Sequence, residues 1–163
     1  MASVKKIYVI EDEDSVRTLL ETGLKYFGYE IAGTANPLEA LEIKDKYDIY
    51  IVDLALPWLD GFELIERLKK KFGTVKTIVL TGNPRRLTKA NKAKTDRWLT
   101  KPCKFQTIIE TIKSLEAEME KKVKDYIRAH KLPVTVVRIG KYGENALDSS
   151  SKIKQKIIDK LGK

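Results

Sequence analysis

The chain of 163 residues is 42% hydrophobic and 34% charged, with a formal charge of +9. That composition excludes a disordered or fibrous protein and leaves room for one ordinary domain plus a short additional segment. One cysteine, Cys103, excludes an internal disulfide and a cysteine-held metal cluster, and one histidine, His130, argues against histidine catalysis and multi-histidine metal sites.

No apolar run approaches the ~20 residues needed to span a bilayer. The start, MASVKKIYVIED, is too short in apolar residues for a secretory signal, so a cytoplasmic protein without a membrane partner is expected. The charge is uneven: residues 1–120 hold 20 basic and 19 acidic residues, residues 121–163 hold 12 and 4. Two explanations of the basic tail stay open, solvated lysines on helix faces or an acidic partner such as nucleic acid.

In chain order, Ile7-Tyr8-Val9-Ile10 is a short apolar run of the kind that forms a buried strand. From Asp14, the residues Val16, Leu19, Leu20, Leu24 and Phe27 recur at helical spacing, and Gly28 marks the stop. Glu30 to Gly33 is a weak second strand. Asn36-Pro37 opens a helix carrying Leu38, Leu41 and Ile43, since proline at the first helical position lacks only an N–H that would go unpaired there. Asp48 to Asp53 is a third strand, apolar on both faces until it ends in a carboxylate.

A third helix carries Phe62, Leu64, Ile65 and Leu68, and closes with Lys69-Lys70-Lys71 ahead of Gly73, cations that complement its dipole. Lys76 to Thr81 is a fourth strand. Pro84 to Lys94 is expected to be a helix, poor in apolar residues and rich in basic ones. Trp98 to Thr100 is a fifth short strand, stopped by Lys101-Pro102.

A helix then starts near Lys104, and an apolar stripe from Phe105 through Ile112, Leu115, Met119 and Val123 to Ile127 carries it to about Arg128. The distal part of so long a helix needs cover, from the tail or from a second subunit. Leu132-Pro133 ends it, Val134 to Ile139 is strand-like, Gly140 to Gly143 is a turn, and Ile153, Ile157, Ile158 and Leu161 mark a short basic helix. The expected domains are residues 1–117 and a helical and strand-helix extension over 118–163.

Strands alternating with helices five times over predict a doubly wound α/β fold with a parallel sheet. In such sheets ligands sit past the carboxyl ends of the strands. With strand order 2-1-3-4-5, Glu11, Asp12, Asp53, Thr81 and Lys101 meet at one edge. Three crowded carboxylates repel unless a cation lies among them, and an all-oxygen set suits Mg²⁺. A lysine and a hydroxyl facing them suit an arriving anion.

The sequence resembles the receiver domain of two-component response regulators, of the chemotaxis-regulator type, over about residues 4–117. The resemblance rests on Glu11-Asp12 after IYVI, Asp53 with Pro57 and Gly61 in DLALPWLDG, Thr81 after TIVL, and Lys101-Pro102 after WLT. It implies a flavodoxin-like fold and a phosphorelay role. Asp53 would be the phosphoacceptor, served by a sensor histidine kinase or phosphotransfer protein. Mg²⁺ would be held by Glu11, Asp12, Asp53 and the main-chain carbonyl of Ala55. Lys101 and Thr81 would bind the phosphoryl group, and the Lys101-Pro102 peptide would be cis. Such a receiver catalyses only its own phosphorylation and dephosphorylation.

The sequence departs from the family pattern in places. Trp98 stands at the switch position usually held by Tyr or Phe, and the Thr81–Lys101 segment is short enough to stunt the fourth helix. The resemblance implies that Ala55 and Asn83 occupy positions that in this family tune loss of the phosphoryl group. Two outputs are expected as alternatives: a homodimer or protein-docking surface on the last helix and tail, or DNA or RNA binding through Lys152, Lys154, Lys156, Lys160 and Lys163.

Overall fold

The computed structural model describes residues 6–130. Its elements run β1 (Lys6–Ile10), α1 (Asp14–Tyr26), β2 (Glu30–Thr34), α2 (Pro37–Glu42), β3 (Ile49–Asp53), α3 (Gly61–Phe72), β4 (Lys76–Thr81), a 3₁₀ turn (Pro84–Arg86), α4 (Lys89–Lys92), β5 (Arg97–Thr100) and α5 (Phe105–Ala129). The five strands form one parallel sheet in the order β2-β1-β3-β4-β5, as the alternating pattern predicts.

The helix boundaries have local causes. The Asn36 side chain accepts the Leu38 N–H and Pro37 opens α2. The Asp60 carboxylate accepts the N–H groups of Phe62 and Glu63 at the start of α3, and Gly73, at φ +72°, closes it.

The chain divides into two compact units, Met1–Thr111 and Ile112–Lys163. In the first, every residue of β3 is buried. One face of the sheet presents Tyr8, Ile10, Tyr50, Val52 and Val79 to a core completed by Phe62, Leu64, Ile65 and Leu68 of α3 and Ala40 of α2. The intervening strand residues Ile7, Val9, Ile49, Ile51, Ile78 and Leu80 are equally buried and point to the opposite face. Leu20 and Leu24 are the buried residues of α1. Gly23 leaves room for Phe105, whose ring carbon Cζ would lie 2.4 Å from a β-carbon at that position.

Several sequence expectations are corrected. The helix expected over Pro84–Lys94 is a 3₁₀ turn followed by a four-residue α4. Leu87 breaks the helical run and Thr88 starts a new one by accepting the Asn91 N–H; with few apolar side chains to bury, this stretch has little to hold a longer helix. Leu19, Phe27 and Leu38, read from spacing as apolar faces, are exposed. Short helices present a narrower buried stripe than the periodicity suggests.

In the second unit the stripe of α5 persists. Ile112, Leu115 and Val123 are buried, and Met119, Tyr126 and Ile127 are half-buried. The strand and helix expected beyond residue 130 lie outside the described residues, as does the cover expected for the distal half of α5. No helix among the described residues is long and apolar enough to cross a membrane.

Candidate functional site

Parallel register brings the site together. Ile10 pairs with Val52, Asp53 with Leu80, and Thr81 with Thr100. The residue after each of β1 and β5, and the last residue of β3 and of β4, therefore reach one carboxyl edge: Glu11, Lys101, Asp53 and Thr81. Glu11 (1% exposed), Asp53 (5%) and Thr81 (2%) are buried there. Asp12 is exposed at the rim.

The carboxylates of Glu11, Asp12 and Asp53 each offer an oxygen within 4.8 Å of the others. An all-oxygen set with two buried members and one facing solvent fits a hard divalent cation that retains waters. Lys101 is the cation among them, with Nζ 2.6 Å from Glu11 Oε2 and 3.2 Å from Asp53 Oδ2. Burial pushes Glu11 above the usual carboxylate range; the Lys101 hydrogen bond opposes this and the Asp53 charge reinforces it. Burial alone would lower Lys101, but its hydrogen bond to Glu11 and the charges of Asp53 and Glu11 prevail and raise it.

Backbone geometry holds these groups. The Ala55 N–H donates to Asp53 Oδ1 at 3.1 Å, fixing one carboxylate oxygen and turning the chain after β3. Gly61 starts α3 against that turn, where a β-carbon would lie 2.8 Å from the Asp53 carbonyl oxygen. The pair Asp60-Gly61 thus serves the site twice, by capping α3 and by letting it approach the Asp53 backbone. The Lys101 N–H donates to Thr81 O at 2.7 Å, and the Lys101-Pro102 peptide is cis, as expected.

The Thr81 hydroxyl is engaged within its own loop. It accepts the Asn83 N–H at 3.0 Å and donates to the Asn83 carbonyl at 3.3 Å. Trp98 is 39% exposed, with Lys92 Nζ 4.9 Å from its ring centroid.

Three further residues shape the edge without having been singled out in the sequence. Arg17 Nη1 donates to the Glu11 carbonyl at 2.8 Å, holding the acidic turn after β1. Arg86 Nη1 donates to the Leu54 carbonyl at 2.6 Å, directly beside Asp53. Trp58 lies in the loop after β3, 77% exposed and at a positive φ of 64° that bulky residues rarely adopt. In the sequence Arg17 is one more charge on a helix and Arg86 one of many in a basic run, so only distance distinguishes them. Pro57 and Asp60-Gly61 flank Trp58 with residues of the kind that favour a tight turn.

The family model of the response regulator receiver domain matches residues 7–113. The chain belongs to the response regulator receiver family. Among similar proteins, the sporulation initiation phosphotransferase F of Bacillus subtilis is 32% identical over 79 residues, 47% of this chain and 64% of that protein. The alkaline phosphatase synthesis transcriptional regulatory protein PhoP of the same organism is 30% identical over 115 residues, 68% of this chain and 48% of that protein.

Among solved structures, the response regulator TrrA of Thermotoga maritima, in complex with Mg²⁺ and BeF, is 32% identical with a TM-score of 0.64, covering 69% of this chain and 99% of its own. The receiver domain of the sensor histidine kinase PA1611 of Pseudomonas aeruginosa, with magnesium in its active-site cleft, shares the fold at 24% identity and a TM-score of 0.64, covering 71% and 99%. The chain spans 64% and 48% of the length of these two curated relatives, and 32% of that of the probable transcriptional regulator ycf27 of Porphyridium aerugineum.

Proposed function

We propose that this receiver accepts a phosphoryl group on Asp53 from the phosphohistidine of a sensor histidine kinase or a phosphotransfer protein. An Asp53 oxygen forms the new bond to phosphorus, the phosphorus–nitrogen bond breaks, and the electron pair leaves on the imidazole. The reading is carried by one juxtaposition, the mutually close carboxylates of Glu11, Asp12 and Asp53 with Lys101 reaching two of them.

Glu11, Asp12, Asp53 and the Ala55 carbonyl would hold Mg²⁺, which when bound neutralises the phosphoryl oxygens. Lys101 moves from the carboxylates onto a phosphoryl oxygen as charge builds there, and Thr81 turns its hydroxyl to a second oxygen. The Ala55 N–H orients the attacking carboxylate. Burial around Asp53 excludes bulk water, which strengthens each of these contacts. Trp98, at the edge of β5, is the side chain whose setting the Thr81 movement would change.

Incubation with Mg²⁺ and acetyl phosphate followed by intact mass tests the reading. A gain of one phosphoryl group in the wild type and none in Asp53→Asn is expected. Labelling of Asp53→Asn would refute it.

For the output, α5 and the tail form a protein-docking or homodimer surface, a reading supported by the apolar stripe that α5 carries through Val123. The alternative is nucleic-acid binding by the basic tail, supported by its charge and by relatives described as transcriptional regulators. Deleting residues 132–163 decides between them. Low-salt duplex DNA binding that vanishes with the deletion favours the alternative, and binding that is unchanged refutes it.

A further inference from the structure

Arg86, the last residue of the 3₁₀ turn, reaches across two of the loops that build the site. Its Nη1 donates to the Leu54 carbonyl at 2.6 Å, and its Nη2 pairs with the Asp60 carboxylate. The guanidinium also lies 6.0 Å from the centre of the Phe62 ring. A planar fork satisfies a carbonyl and a carboxylate together, which an ammonium does poorly. The grip falls on well-held groups: the Leu54 N–H is bonded to Leu80 O at 3.2 Å, and Asp60 is also the cap of α3.

The other end of Arg86 is tied to the turn that occupies Thr81. The Arg86 N–H donates to the Asn83 carbonyl at 3.1 Å, and the Arg86 carbonyl accepts from Asn91 Nδ2 at 2.8 Å. That Asn83 carbonyl is the acceptor of the Thr81 hydroxyl, and the Asn83 N–H is its donor. For Thr81 to turn toward Asp53 it must give up both bonds, and the turn that supplies them is pinned by the Arg86 side chain to the loop after β3.

We propose that Arg86 is a positioning residue: its fork on Leu54 and Asp60 latches the Asn83–Arg86 turn and keeps the Thr81 hydroxyl away from a phosphoryl group on Asp53. This rests on the reading of Asp53 as phosphoacceptor. The latch sets how much phosphoryl-binding energy is spent on releasing Thr81, and so how readily the site responds.

The test measures affinity for trifluoroberyllate, a phosphoryl mimic, at fixed Mg²⁺ by ¹⁹F NMR of the bound fluorines. Arg86→Met keeps packing on Phe62 and removes the fork. Asp60→Asn keeps a good helix cap and removes the ion pair. Each is expected to tighten binding about three- to tenfold, the range of a partly exposed charge-assisted contact. The double variant should bind no more tightly than the stronger single, because both break one latch. Arg86→Lys should fall between wild type and Arg86→Met.

Placed on Thr81→Ala, Arg86→Met should change nothing, which separates a latch acting through Thr81 from general loosening. Unchanged or weakened binding in both single variants overturns the proposal, as does a gain that persists without the Thr81 hydroxyl. Asp53→Asn that binds the mimic as well as wild type instead refutes the Asp53 reading, and the two failures are thereby distinct.

Discussion

At the amino edge of the sheet Asp96 precedes β5 and accepts from Lys76 Nζ at 2.9 Å, from the Thr77 N–H at 2.9 Å and from the Thr77 hydroxyl at 3.2 Å, with Lys69 Nζ at 3.7 Å. At the carboxyl edge the carboxylates of Glu11, Asp12 and Asp53 lie close together, and Lys101 pairs with Glu11 and Asp53. One carboxylate with two ammonium groups is a saturated structural pair. Burial would raise Asp96, but the hydrogen bond and charge of Lys76 prevail and hold it below the usual range. Here one ammonium serves both Glu11 and Asp53 while Asp12 stays exposed at the rim, and burial, helped by the Asp53 charge, raises Glu11. Charge of the first kind is matched within the fold; charge of the second kind sits where the proposed phosphoacceptor site lies, as perturbed groups at functional sites do.

That contrast is open to attack at both edges. The largest effect is expected from Asp96→Ala, which removes the carboxylate that Lys76 bonds, a side chain only 12% exposed. Stability should fall by about 3 kcal/mol, as when one partner of a mostly buried pair is removed. Urea unfolding measures the loss, while acetyl phosphate labelling of the folded fraction should keep its rate.

Lys101→Ala should do the reverse, slowing labelling by about 100-fold, the scale on which a group that stabilises developing charge acts. Labelling slowed less than tenfold would make Lys101 a structural cation like Lys76. Gly61→Ala comes next. Its β-carbon meets the Asp53 carbonyl, a backbone atom that cannot swing aside, so a cost of about 1–3 kcal/mol and slower labelling are expected together.

The smallest effect is the pH dependence of stability, which should carry opposite signs at the two edges. Asp96 has a folded pKa lowered from 3.8, so its stabilisation is complete above that value and is lost as pH falls through the lower folded one. Glu11 has a folded pKa raised from 4.5, so the folded state takes up its proton first and gains stability as pH falls through that raised value. Urea midpoints across acidic pH should show the gain vanish in Glu11→Gln and the loss shrink in Asp96→Asn.

Arg86 shows what the order of residues hides. It stands among Arg85, Lys89, Lys92 and Lys94, and no spacing separates it from solvated neighbours. Its role comes from a 32-residue separation that the fold closes to hydrogen-bond distance of Leu54. Leu19 and Leu38 err the other way: they sit at helical spacing yet face water, because periodicity marks a face without saying how much of it a neighbour covers. The short α4 was foreshadowed by its poverty in apolar residues, though its break at Leu87 was not.

The sequence by itself determined the sheet. Short runs, mostly apolar and separated by amphipathic stretches, admit few arrangements besides parallel crossovers, and parallel strands deliver their carboxyl ends to one edge. Glu11, Asp12, Asp53, Thr81 and Lys101 could therefore be named together from their places at strand ends. Tertiary structure alone decided how they are engaged: Lys101 on two carboxylates, Thr81 on Asn83, and Arg86 across to Leu54 and Asp60. Strand ends follow from local pattern. The partner that a long side chain chooses depends on distances set by the whole packed fold.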